Sequence, residues 1–133
     1  MARVVWYGDK VAAQTRKNVA TVLRATAARG VGEIVESFRT TPTGGHRGPY
    51  RDRSLPGQPP AQQTLQLTRG IAVDDSEADS ALKVRLGVKA GQASRYGLYL
   101  ELGTDKMRPR PYLRPWLTRI WPRLQKSLAG IVR

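Results

Sequence analysis

The chain contains no cysteine, one histidine and one phenylalanine. Without cysteine there can be no disulfide and no thiolate metal site, and the redox setting of the protein leaves no mark on its sequence. His46 stands alone in a glycine-rich stretch with no carboxylate cluster beside it. One ligand does not make a metal centre, so none is expected. No apolar run approaches the roughly 20 residues of a membrane span. Asp9, Lys10, Arg16 and Lys17 interrupt the opening stretch, so no signal peptide is expected either. Acidic residues are also scarce. Ten Asp and Glu stand against 23 Lys and Arg in 133 residues, a net charge of +13. A balance of that size points to a polyanionic partner, either nucleic acid or an acidic protein surface.

The excess is uneven. Residues 1–40 carry seven basic and three acidic side chains, and residues 41–73 carry four and one. Residues 74–101 reverse the sign with four and five, and residues 102–133 carry eight and one. These basic residues are interleaved with Leu, Ile, Val and Trp, unlike the like-charge runs of a disordered tail. They fit either the solvated face of amphipathic helices or a docking surface.

A hydrophobic fraction of 40% and this length predict one domain over residues 1–133. Its expected class is α+β: a long N-terminal helix, a small antiparallel sheet with a long basic loop, and a C-terminal helix. Apolar residues at spacings of three and four, from Val11 through Phe38, predict helix over residues 9–39, with Asp9 as its cap. Gly30 and Gly32 leave two possibilities, one kinked helix or a break near Arg29. A continuous helix would be about 45 Å long. For so small a domain, one end is then expected to project toward a neighbouring subunit.

Residues 40–63 hold five prolines and four glycines and follow neither period, so they read as a loop. Arg47, Arg51 and Arg53 make it basic. Thr64–Val73 and Ala81–Val88 alternate as two strands of a hairpin, joined by the acidic turn Asp74–Ser80. Ser94–Leu102 fits helix and strand equally. After the turn-rich link Gly103–Pro111, residues 112–132 read as a last helix. Pro115 falls in its first turn, and Pro122 at an awkward interior position that should kink or split it.

No catalytic constellation is present, so the protein is read as no enzyme. Gly30-Val31-Gly32 lacks the third glycine and the preceding strand of a dinucleotide fingerprint, and no Ser or Thr has a local base. The acidic turn lacks the glycine and terminal glutamate of a calcium loop. No cofactor is expected. What stands out is aromatic and arginine residues together: Tyr96, Tyr99, Tyr112, Trp116 and Trp121 among Arg95, Arg108, Arg110, Arg114 and Arg119. Such groups fill cores, form protein interfaces or stack on nucleic acid. The interface reading leads because no base-reading motif is present.

From Tyr96 to Leu117 the chain runs Tyr, small, Leu, Tyr, Leu, Glu, Leu, Gly103-Thr104, then a basic link with Met107, then Arg110-Pro111-Tyr112-Leu113-Arg114-Pro115-Trp116. This stretch resembles the minor tail, or neck, proteins of long-tailed bacteriophages, also described as tail-completion or head–tail connector proteins. A second similar stretch is Pro56-Gly57-Gln58-Pro59-Pro60 continuing from Thr64 to Ile71, with Leu65 and Gly70 departing from the usual pattern. The resemblance implies a non-enzymatic α+β subunit of a virion ring at the head–tail junction, assembled in the host cytoplasm. It also implies six or twelve copies around the channel, connector, terminator or tail-tube proteins as neighbours, and genomic DNA passing without specific binding. No membrane is involved. Tyr96, Tyr99, Glu101, Arg108, Arg110, Tyr112, Arg114, Trp116 and Trp121 are the expected contact residues, and Arg47, Arg51 and Arg53 are expected to dock on a neighbouring ring or line the channel. Glu101 is expected to pair with Arg110 or Arg114. The two Arg-Pro steps are expected to hold Arg110 and Arg114 extended. The rival expectation is a small basic nucleic-acid-binding protein.

Overall fold

The computed structural model describes residues 2–42, 54–61 and 65–131. Arg47, Arg51 and Arg53 lie outside these residues. The fold is mixed α+β and mostly helical, with the long first helix, two-stranded antiparallel sheet and last helix that the sequence predicts.

Helix α1 spans Gly8–Thr40 without a break. Its 33 residues make it about 50 Å long. Ala20, Ala27, Gly30, Ile34 and Phe38 are buried and recur at helical spacing, so they form one stripe. Among the described residues none before Ala20 is buried, so the first three turns stand clear of the core. Tyr7 rather than Asp9 occupies the N-cap, and Asp9 sits within the first turn. The helix stops at Thr41, which is extended (φ −69°, ψ 123°) because Pro42 follows it.

Gly30 does not break the helix because the packing demands it. A Cβ there would lie 2.3 Å from Cζ2 of Trp116 and 2.9 Å from Cδ1 of Leu86. The glycine is therefore the seat for an indole ring. Gly32 faces open space and has no such reason.

The predicted strand over 64–73 is corrected. Leu65–Gly70 forms helix α2, and only Ile71–Asp74 is strand, β1. Leu, Gln and Arg favour helix, and Leu67 and Ile71, four apart, both enter the core. Part of the acidic turn is a short helix, α3, Ala78–Ala81. Leu82 then takes a left-handed conformation (φ 52°), so the second strand, β2, is shortened to Arg85–Val88. The two strands pair antiparallel, Ile71 opposite Val88 and Asp74 opposite Arg85.

Residues 92–102 are helical, forming α4, Gln92–Leu102. Helix α5 spans Leu113–Ile131 and is neither split nor ended by Pro122. Pro122 and Thr118 are both exposed, so water can serve the Thr118 carbonyl that the missing N–H leaves free. The core joins Ile34 and Phe38 of α1, Leu67, Ile71, Leu100, and Tyr112, Trp116 and Ile120 at the start of α5. Phe38 meets Tyr112 edge to face, with ring centroids 5.3 Å apart. Among the described residues no helix is long and apolar enough to cross a membrane.

Candidate functional site

The stretch that carries the family resemblance folds as one unit. α4 ends at Gly103, whose positive φ of 77° suits glycine. Thr104 and Met107 then exchange backbone hydrogen bonds, and the Arg110 N–H donates to the Leu100 carbonyl at 2.6 Å. This closes the link back against α4. Residues 54–58 are fastened to the same link: the Gly57 N–H donates to Pro109 O (2.9 Å) and Arg110 Nε donates to Ser54 O (2.9 Å).

Glu101 does not pair with a guanidinium. Its carboxylate accepts from the backbone N–H groups of Tyr112 (2.8 Å), Leu113 (3.0 Å) and Arg114 (3.0 Å). These are unpaired donors at the start of α5, where the helix dipole also favours a negative charge. A residue at the end of one helix thus caps the next. The same bond takes Arg114 into the helix ahead of Pro115, against the extended conformation expected of it. Trp116 is fixed from the other side by Nε1 donating to Glu33 Oε2 at 2.8 Å, which ties α5 to α1.

Tyr112 and Trp116 are therefore core residues, 3% and 8% exposed, and offer no surface to a partner. Burial, and then the nearby Glu101 charge, push the Tyr112 phenol from its ordinary value near 10 up to about 12. Since the folded value is raised, the stability it contributes is intact below pH 10 and is lost as pH climbs through 12. Spectrophotometric titration of tyrosinate is expected to show one late-ionising tyrosine that coincides with unfolding and vanishes in Tyr112→Phe. A Tyr112→Phe protein with an unchanged late step contradicts this.

The other predicted aromatics are at the surface. Tyr96, Tyr99 and Trp121 are about half exposed, with Leu98 and Leu102 beside the first two on α4 and Leu117 on α5. Arg108 and Arg114 are exposed, whereas Arg110 is half-buried on Ser54. An open groove of about 300 Å³ lies between Pro60, Tyr96, Tyr99, Met107 and Arg110.

The acids of residues 74–79 are occupied within the subunit. Asp75 and Asp79 hold Arg24, while Asp74 and Glu77 hold Arg85. These bonds lower the carboxyls of Asp74, Glu77 and Asp79 from their ordinary values, Asp74 being lowered most by Ser76 and the other two by their arginines. Among the described residues, Arg114, Arg119, Arg123 and Lys126 of α5 make no ion pair, so the basic charge faces outward there. Also among these residues, no three His, Asp or Glu gather as metal ligands.

Sequence reasoning passed over one feature. Val4, Val5, Trp6 and Tyr7 precede α1 and are 92%, 52%, 81% and 58% exposed. The signal was available as four large apolar residues in a row ahead of a cap. No protein-family model, curated protein or solved structure matches the chain.

Proposed function

We propose that the protein is a structural subunit of an oligomeric ring at a bacteriophage head–tail junction, with no catalytic role. The observation that carries this reading is the construction of the Tyr96–Leu117 stretch. Half-buried Glu101 and buried Tyr112 and Trp116 fix the α4–α5 corner, and its exposed members, Tyr96, Tyr99 and Arg108, are left on the surface. A rigid corner bearing aromatic and arginine groups suits permanent docking on protein. Twelve large apolar side chains are more than half or nearly half exposed among the described residues, which favours an assembled state over a lone monomer.

Charge fits the same reading. A ring of six copies would carry +78 and would repel itself unless acidic neighbouring rings or salt neutralised it. Connector, terminator or tail-tube proteins with acidic faces are the partners this implies, and the virion is the location. The +13 charge also favours a second reading, a nucleic-acid-binding protein whose affinity falls steeply with salt. Tight DNA binding would slow a genome passing through the channel, so DNA is taken as a neighbour rather than the ligand. Sedimentation velocity on the purified protein tests the ring reading, with closed particles of six or twelve copies as the expected result.

A further inference from the structure

The segment before α1 and a groove elsewhere on the subunit have matching character. Val4, Val5, Trp6 and Tyr7 project from the clear end of α1, and Val11 on the first turns is 62% exposed. Trp6 rests over Gly8 of its own helix and over nothing in the core. The groove lies between α1, β2 and α5. Leu23, Ala27, Leu86, Leu117, Trp121 and Leu124 line about 430 Å³ of open space there.

The arm cannot fill the groove of its own chain. Ala27 lies about 28 Å along the α1 axis from Gly8 at 1.5 Å per residue. Trp6 is two residues beyond Gly8, and two extended residues reach only about 7 Å. The continuous helix between them keeps arm and groove apart, so only another copy can bring them together. The groove beside Tyr96 and Tyr99 of α4 is smaller, about 300 Å³ against about 430 Å³.

We propose that the Val4–Tyr7 arm of one copy seats in the α1–β2–α5 groove of the next. This deepens the ring reading and rests on it. Arm and groove are different patches, so the contact is heterologous and each copy both gives and receives, the arrangement that closes into rings. The area is adequate. Aromatic side chains bury about 150–250 Å² each, so Trp6 and Tyr7 with Val4 and Val5 of the arm and Val11 at the start of α1 offer on the order of 500 Å². Counting the groove side, each contact covers about 1,000 Å², about the area that a biological interface should reach.

Two variants at exposed positions test it. Trp6→Ser removes the arm's anchor, and Leu117→Gln spoils the groove. Circular dichroism should find both folded and melting as wild type does. In sedimentation, each alone is expected to associate at least about 30-fold more weakly than wild type. Mixed in equal amounts, they should form a one-to-one dimer that grows no further, because one intact arm meets one intact groove. A Trp6→Ser protein that assembles like wild type overturns the arm and leaves the ring reading standing. So does a mixture that stays monomeric. A wild-type protein that is itself monomeric overturns both.

Discussion

Replacing Trp116 by Ala is expected to destabilise the protein by about 3–5 kcal/mol, a third or more of the stability of an ordinary domain. The indole is 8% exposed, seats on Gly30 and gives its N–H to Glu33, so the change opens a cavity and strands a partly buried carboxylate. Gly30 then supplies a sharper test. In the wild type, Gly30→Ala gains about 1 kcal/mol of helix propensity, but overpacking costs about 1–3 kcal/mol. The ring is tied to α1 by its hydrogen bond to Glu33, which opposes its retreat from a Cβ at Gly30, so the net effect is expected to destabilise. Once Trp116 is Ala, the clash with the ring is gone, and Gly30→Ala should stabilise. Urea denaturation of the four proteins measures this reversal of sign. Equal destabilisation in both backgrounds would mean that something other than the indole requires the glycine.

Glu101→Ala comes next, with an expected loss of about 2–4 kcal/mol. One carboxylate serves three N–H groups, two of them in half-buried or buried residues. Hydrogen bonds to a charged acceptor contribute about 1.5–3 kcal/mol each, and water recovers part of that at the exposed Arg114. Glu101→Gln keeps an acceptor and loses the charge, so it should cost about half as much. Arg114→Ala, which breaks no ion pair with Glu101, should stay within about 0.5 kcal/mol of wild type. If Arg114→Ala cost as much as Glu101→Ala in thermal melts, the guanidinium rather than the backbone would be the partner.

Long amphipathic periods identified α1 and α5, and the Ala81–Val88 alternation placed the second strand, though four residues too early at its start. The period failed where elements are short: Leu65–Gly70 alternates loosely, yet its helix formers turn it into α2, and Leu82 leaves the strand by a left-handed step. Glu101 was recognisable as an acid among apolar residues. Its partner was not, because a backbone N–H is the same in every residue and only the return of the chain brings α5 beneath the carboxylate. Gly30 was legible as a break in propensity and illegible as a contact, since Trp116 lies 86 positions away. Aromatic residues in the motif could not be sorted into core and surface without the helix register. That register buries Tyr112 and Trp116 and exposes Tyr96, Tyr99 and Trp121. Arg108 and Arg114 are exposed as well.

Sedimentation velocity of the wild-type protein over a range of salt concentrations, with and without DNA, tests the ring most directly. Copies of +13 repel one another, so screening should favour their association. The expected result is a discrete particle of six or twelve 14.7 kDa copies that forms without DNA and strengthens as salt rises. A 14.7 kDa monomer at every concentration and salt, assembling only on DNA and released as salt rises, would contradict the account.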